Sequence, residues 1–125
     1  MNTILIVDDH PEIRRLVRMT LELGGSHSTI AEAGDASSAL ELARQLKPDL
    51  VLTDVMMPGD LDGLALCRAL KSDPEVMGAA IVVISAKGQP DDREAGLSAG
   101  ACAYLAKPFS PLALIQTLDR LGVAL

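Results

Sequence analysis

Aromatic residues and positive charge are both scarce in this 125-residue chain. It contains no Trp, one Tyr and one Phe, so its 49% of hydrophobic residues must build an aliphatic core. Lys and Arg number 11 against 17 Asp and Glu, which gives a formal net charge of -6. Because contacts to phosphate backbones need clustered basic residues, this balance argues against direct binding of nucleic acid.

Cysteines, long apolar runs and targeting signals are lacking as well. The two cysteines, Cys67 and Cys102, form no CxxC or Cys/His spacing, which is typical of reduced, buried thiols in a cytoplasmic protein. No apolar stretch approaches the ~20 residues of a membrane-spanning helix, and the N-terminus carries no secretory signal pattern. We therefore expect no membrane contact and a cytoplasmic location.

Short apolar runs alternate with segments of helical periodicity along the whole chain. The predicted strands cover Thr3–Val7, Thr29–Ala33, Leu50–Thr53, 80–84 and 103–105. The predicted helices cover Pro11–Leu23, 36–46, 63–70, 91–99 and 111–121, with Asp35 and Ser110 as N-caps. This alternation predicts a single α/β domain over residues 1–125. Its fold would be a doubly wound, five-stranded parallel sheet of order 2-1-3-4-5, the flavodoxin-like arrangement.

Acidic residues stand at the ends of two predicted strands. Asp54 follows the run Leu50–Thr53, and the pair Asp8-Asp9 follows the first strand. In the predicted order these strands are neighbours, so three carboxylates converge on one crevice at the carboxyl edge of the sheet. Like charges at close range are costly unless a cation neutralises them, and a hard divalent metal with oxygen ligands does so. The pattern indicates metal-assisted phosphoryl chemistry on a carboxylate.

A set of short motifs follows the predicted strands in a fixed order. The motifs are Val7-Asp8-Asp9, Asp54, Met57-Pro58, Asp62-Gly63, Ser85-Ala86 and Lys107-Pro108-Phe109. Each motif alone is weak, but the combination is specific and spans essentially the whole chain. In this combination the chain resembles the receiver domains of two-component response regulators.

The resemblance implies a role for each acid of the crevice. Asp54 would be the phosphoacceptor. Asp8 and Asp9 would help to hold Mg²⁺, with Mn²⁺ as an alternative ion. Asp54 itself and the backbone carbonyl of Met56 would be further ligands of that ion.

Other residues of the resemblance would bind the phosphoryl group and signal its arrival. Ser85 would contact that group through its hydroxyl, and Lys107 would pair with Asp54 and then with the phosphoryl oxygens. Tyr104 stands where the family has an aromatic that swings inward on activation; the alternative is a half-buried aromatic with its hydroxyl at the surface. His10 is expected to be a solvent-exposed loop residue, since Mg²⁺ selects oxygen over imidazole.

The resemblance also implies partners for a signalling switch that is not an enzyme beyond its own phosphorylation and dephosphorylation. A sensor histidine kinase or phosphotransfer protein would donate the phosphoryl group from a phosphohistidine. Because a phosphohistidine must approach Asp54 in line and the first helix flanks the crevice, the donor would dock near that helix, where Arg14 and Arg18 lie one turn apart. Phosphorylation would change the face formed by the 91–99 helix, the last strand and the last helix, for an unknown downstream target or a phosphorylation-dependent homodimer. That face would include Arg93, Ala103, Tyr104 and Asp119.

Two features depart from the family pattern. The loop 58–63 is one residue longer than usual, which leaves Asp60 or Asp62 as an additional acid near the metal. No effector domain follows the last predicted helix, so the chain is either a stand-alone receiver or a domain of a longer protein.

Three other functions suit the same predicted fold less well. A flavin-binding electron carrier needs an anion-binding loop where this chain has Asp8-Asp9, and aromatic residues around the flavin ring. A phosphatase with an aspartyl nucleophile needs an acid at the position of Met56. A phosphorylation-independent protein interaction module would not need the complete set of acids, serine and lysine, and is the alternative function.

Overall fold

Five parallel strands form the centre of the protein. The computed structural model describes residues 3–24, 28–54, 62–76, 78–85, 94, 97–107 and 109–122. The strands are β1 (Thr3–Val7), β2 (Thr29–Ala33), β3 (Leu50–Thr53), β4 (Ala80–Ser85) and β5 (Ala103–Ala106). Their order is β2-β1-β3-β4-β5, and each neighbouring pair is parallel. This order confirms the predicted topology and places β1 beside β3.

Four helices are described, and three begin at a side-chain cap. They are α1 (Pro11–Leu23), α2 (Ala36–Leu46), α3 (Gly63–Ser72) and α4 (Pro111–Arg120). The predicted caps are confirmed: Asp35 accepts a 2.7 Å bond from the amide of Ser38, and Ser110 accepts a 3.0 Å bond from that of Ala113. Asp62, considered above as an acid near the metal, caps α3 by accepting a 2.8 Å bond from the amide of Ala65.

Each face of the sheet buries its own aliphatic layer, because successive side chains of a strand point to opposite faces. Odd-numbered residues of the central strands, such as Leu5 and Val51, pack against α2 and α3. Even-numbered residues, such as Ile6 and Leu52, pack against α1 and α4. With both faces buried, the register of β1 against β3 is fixed. The crevice acids therefore leave the sheet side by side.

The helix predicted over 91–99 falls mostly outside the described residues, although Glu94, Leu97 and Ser98 are helical. Cys67 is buried in α3 as predicted, but Cys102 is exposed, so the prediction of two buried thiols is wrong. The reason is that Cys102 precedes β5, the edge strand of the sheet. Within the described ranges, no helix combines the length and apolar character needed to cross a membrane.

Candidate functional site

Asp8 and Asp54 stand one residue beyond β1 and β3, where the backbone ladder continues. The amide of Asp8 donates to the carbonyl of Ala33 over 3.1 Å, and that of Asp54 donates to the carbonyl of Val7 over 3.0 Å. Only 5% and 7% of the two acidic side chains are exposed. Buried carboxylates need cations or hydrogen-bond donors, so this crevice is suited to positive charge.

Lys107 reaches the crevice from the end of β5. Its Nζ lies 2.8 Å from Oδ2 of Asp8 and 3.1 Å from Oδ2 of Asp54. The structure thus brings Lys107 to Asp54, as the resemblance implies, and also to Asp8, which the sequence did not suggest. Since β4 lies between β5 and β3, the long lysine stem is what spans the gap.

Asp9 and His10 complete the cluster in the turn between β1 and α1. Nδ1 of His10 lies 3.0 Å from Oδ1 of Asp8 and 3.1 Å from Oδ1 of Asp9. The His10 side chain is 55% exposed, as expected, but its ring is turned towards the acids. Oδ1 of Asp9 is buried and, despite the short approach of His10, accepts no well-formed hydrogen bond from a described residue.

These contacts shift the pKa values of Asp8, Lys107 and His10 in the direction that favours their charged forms. Burial disfavours ionisation of Asp8, but hydrogen bonds from Lys107 and His10 outweigh it and hold the pKa of Asp8 below its usual value. Burial also disfavours the charged form of Lys107, yet its bonds to Asp8 and Asp54 raise the pKa of Lys107. The hydrogen bond to Asp8, followed by the charge of Asp9, raises the pKa of His10. At neutral pH the pair of Asp8 with Lys107 is therefore ionic.

The cluster fits a divalent cation. Asp8, Asp9, His10 and Asp54 each offer one ligand atom, and these atoms lie within 4.8 Å of one another. Opposite ligands of an octahedral Mg²⁺ are about 4.2 Å apart, so a small side-chain movement would bring the oxygens around one ion. The buried Oδ1 of Asp9 is an acceptor that such an ion would satisfy. Three carboxylates form a donor set suited to Mg²⁺ or Mn²⁺.

The other predicted site residues are described to different extents. The backbone of Ser85 ends β4 and pairs with Ala106, next to Lys107, but its side chain is outside the described part of the chain. Met56 also lies outside the described residues. Tyr104 is half-buried, and its hydroxyl oxygen is buried without a hydrogen-bond partner among the described residues. This burial contradicts the alternative of a hydroxyl at the surface, and the switch role of Tyr104 stays a prediction.

A partly buried ion-pair network beside the site was not predicted from the sequence. Glu32 of β2 receives Nε of Arg14 at 3.1 Å and Nε of Arg18 at 2.8 Å. Arg14 also donates through Nη1 to the backbone carbonyl of Asp8 over 2.6 Å. The Arg14 side chain is only 20% exposed and is engaged with Glu32, whereas the sequence prediction places it on the docking surface of the first helix. The missed signal is Glu32 itself, a lone acid in an apolar strand on the face that α1 covers.

Comparisons with known proteins agree with this geometry. The sequence matches the family model for the response regulator receiver domain over residues 4–119. It is 41% identical over 116 residues to the phosphate regulon transcriptional regulatory protein PhoB of Pseudomonas aeruginosa, covering 93% of this chain and 49% of PhoB. It is 42% identical over 125 residues to the probable transcriptional regulatory protein TcrX of Mycobacterium tuberculosis, covering 97% of this chain and 51% of TcrX. The chain thus spans about half the length of these relatives.

The fold also has close structural relatives. The chemotaxis response regulator CheY4 of Vibrio cholerae superimposes with a TM-score of 0.87 at 30% identity, covering 97% of this chain and 98% of CheY4. The five-stranded order, the strand-end acids, the family match and the relatives agree. The chain belongs to the family of response regulator receiver domains, which are signalling switches.

Proposed function

We propose that Asp54 is the phosphoacceptor of a Mg²⁺-dependent switch in the cytoplasm. It receives the phosphoryl group from a phosphohistidine of a sensor kinase or phosphotransfer protein. The observation that carries this proposal is the position of Asp54. It is a buried strand-end carboxylate, 3.1 Å from an ammonium group and within 4.8 Å of ligand atoms of two further acids. A carboxylate placed between a cation and metal-binding acids is suited to act as a nucleophile in phosphoryl transfer.

The proposed transfer proceeds in one in-line displacement. A carboxylate oxygen of Asp54 attacks phosphorus, and the bond from phosphorus to the donor nitrogen breaks as an acyl phosphate forms. The departing imidazole keeps the electron pair of that bond and takes up a proton. When bound, Mg²⁺ would neutralise charge on the transferring oxygens. Asp8, Asp9 and Asp54 are the described residues proposed to hold it, with the carbonyl of Met56, outside the described ranges, as a further ligand.

Lys107 supports this proposal because it is held in place by two acids. Its contact with Asp8 anchors the ammonium group while its contact with Asp54 can be exchanged for a phosphoryl oxygen. Phosphoryl transfer requires positive charge near the phosphoryl oxygens, and a lysine already in place supplies it with little rearrangement. Ser85 is proposed to donate a hydrogen bond to the same phosphoryl group from the end of β4.

Tyr104 is proposed to couple phosphorylation to the surface around β5 and α4. Its buried hydroxyl lacks a hydrogen bond to any described residue. A buried, unsatisfied hydroxyl costs about 1–3 kcal/mol, so a rearrangement that offers it a partner is favoured. The proposed readout is binding of a downstream target or phosphorylation-dependent pairing of two copies. Ala103 and Asp119 belong to that surface, while Arg93 lies outside the described residues.

The phosphodonor is proposed to dock on α1 beside the crevice. Arg14 and Arg18, predicted for this contact, are held by Glu32 and are poorly placed to meet acids of a partner. The exposed residues Arg15 and Leu16 are better placed. Arg15→Glu should therefore slow transfer from a phosphorylated kinase more than it slows labelling by acetyl phosphate.

Direct nucleic-acid binding is not part of the proposal. The formal net charge of -6 disfavours it. Relatives such as MtrA of Mycobacterium tuberculosis, a DNA-binding response regulator, are covered over only 46% of their length.

Acetyl phosphate with Mg²⁺, followed by intact mass spectrometry, tests the proposed function. The wild-type protein should gain one phosphoryl group, and chelation of the metal should prevent the gain. Asp54→Ala should gain none. Equal labelling of wild type and Asp54→Ala would contradict the assignment of the phosphoacceptor. A folded wild-type protein that accepts no label would favour the phosphorylation-independent interaction module.

A further inference from the structure

The ring of His10 is turned towards the acids of the crevice and does not cap α1. His10 is the N-cap residue of α1, yet its side chain forms no capping hydrogen bond. Nδ1 instead lies 3.0 Å from Asp8 and 3.1 Å from Asp9. Asp8, Asp9, His10 and Asp54 each offer one ligand atom that lies within 4.8 Å of the others. The crevice thus contains one nitrogen donor beside three carboxylates.

The chemistry of such a donor set depends on the ion. Mg²⁺ prefers oxygen ligands, whereas imidazole suits transition-metal ions such as Ni²⁺ and Zn²⁺, and affinity in the Irving–Williams order rises from Mn²⁺ through Co²⁺ and Ni²⁺ to Cu²⁺. Adjacent ligands bound at 2.0–2.1 Å in an octahedral ion are about 2.9 Å apart. The separations of Nδ1 from the two carboxylate oxygens, 3.0 and 3.1 Å, are close to this value. On metal binding, Nδ1 would give up the proton that it shares with Asp8 and offer a lone pair, and because the ring is 55% exposed, Nε2 can carry the remaining proton in solvent.

We propose that His10 is a metal-selectivity residue, which ligates nitrogen-accepting divalent ions such as Co²⁺ or Ni²⁺ through Nδ1 and leaves Mg²⁺ to the carboxylates. This inference rests on the proposed metal site of the receiver and adds a ligand to it. It agrees with the expectation that His10 does not bind Mg²⁺. The ratio of Co²⁺ or Ni²⁺ affinity to Mg²⁺ affinity is therefore higher with His10 than in a variant that lacks this imidazole.

Paired titrations of one protein with two ions test the selectivity. Calorimetric affinities for Co²⁺ and Mg²⁺ would be measured for wild type, His10→Ala and Asp9→Asn at one fixed pH. His10→Ala should weaken Co²⁺ binding by roughly tenfold or more and reduce the preference for Co²⁺ over Mg²⁺ by a similar factor. Asp9→Asn, the matched control, should weaken the binding of both ions because it removes an oxygen ligand that both use.

Proton NMR of the Co²⁺ form shows the nitrogen ligand directly. Wild type should give a strongly shifted, exchangeable imidazole N–H signal from a ring bound to the paramagnetic ion. That signal should be absent from His10→Ala and retained in His27→Ala, the variant of the only other histidine in the chain. A purely structural histidine would give no such signal.

The results separate this inference from the proposed function. Equal losses of Co²⁺ and Mg²⁺ affinity in His10→Ala, or a shifted signal that survives this substitution, would overturn the role of His10. If acetyl phosphate with Mg²⁺ still labels wild type and not Asp54→Ala, the phosphoacceptor assignment stands even then. If wild type accepts no label while the shifted signal is present, the metal site stands and the proposed phosphotransfer fails.

Discussion

At the residue scale, the acids of the crevice differ in which positively charged or hydrogen-bonding groups neutralise them. Asp8 has both Lys107 and His10 within 3.0 Å, and Asp54 has Lys107 at 3.1 Å. Asp9 has a buried oxygen without a well-formed hydrogen bond from a described residue. Of the three, Asp9 is therefore the acid whose charge supports the metal-free fold least and cation binding most.

Asp9→Asn is expected to stabilise the metal-free protein and to weaken the metal site. In the metal-free protein, removing one of three crowded carboxylates should raise the free energy of unfolding by about 1 kcal/mol. Mg²⁺ affinity should fall by roughly tenfold or more, because an amide is a poorer ligand for a hard cation. Thermal unfolding with a chelator and calorimetric titration measure the two effects. A less stable metal-free variant would contradict the account of charge crowding.

The two cysteines are expected to differ in reactivity. Burial raises the pKa of the Cys67 thiol to about 11, so almost none of it is thiolate at neutral pH, whereas Cys102 is exposed. A thiol-reactive dye should modify one cysteine in the native protein and two after denaturation. Peptide mapping should place the native label on Cys102, and native labelling of Cys67 at a comparable rate would argue against its burial.

At the scale of elements, the ion-pair network joins α1 to β2 next to the crevice. Arg14 and Arg18 bind different oxygens of Glu32, and Arg14 also holds the carbonyl of Asp8. Glu32 of β2 therefore holds Arg14 of α1, and Arg14 in turn holds the turn that carries Asp9. Burial opposes ionisation of Glu32, but the hydrogen bonds from Arg18 and Arg14 outweigh it and lower the pKa of Glu32.

Glu32→Gln is expected to cost about 1–2 kcal/mol of stability at neutral pH, because two arginines lose their carboxylate. Since the folded-state pKa of Glu32 is lowered, its contribution is present above the usual value of 4.5 and lost as the pH falls through the folded-state value. Denaturant unfolding of both proteins across this range measures the difference, which should close in acid. Glu41→Gln, an exposed control on α2, should change little. A Glu32→Gln deficit that persists in acid would point to packing rather than charge.

At the scale of the whole molecule, the parallel sheet assembles groups that are far apart in the sequence. Lys107 meets Asp8 across 99 positions and Asp54 across 53 positions. Because the strands are parallel, their carboxyl ends share one edge, and the site forms only when β5 is in place. The metal-free fold therefore depends on a cation supplied from the far edge of the sheet.

Lys107→Met is expected to destabilise the metal-free protein by about 2–4 kcal/mol, since it leaves Asp8 and Asp54 buried without their ammonium partner. Saturating Mg²⁺ should recover much of this loss by replacing the missing positive charge. Thermal unfolding with and without the ion compares the two conditions. A variant equally destabilised in both would show that the lysine acts through packing.

The sequence predicts the framework better than the side-chain environment. Strand order and caps follow from local patterns, since buried parallel strands are apolar runs and Asp35 or Ser110 caps a helix from within one turn. The partners of Arg14 and the exposure of Cys102 depend instead on which elements meet in three dimensions. The helical period predicts which face of α1 carries Arg14, but the contact with Glu32 depends on how β2 packs beside that helix.

The central claim is that the phosphoryl group is carried by Asp54 as an acyl phosphate, and chemical trapping tests it most directly. Borohydride reduces an acyl phosphate of aspartate to homoserine, which peptide mass spectrometry can locate. After treatment with acetyl phosphate and Mg²⁺, homoserine should stand at position 54, and Asp8 and Asp9 should be unchanged. Homoserine at position 8 or 9, or a stable phosphoryl group on a hydroxyl such as Ser85, would contradict the account.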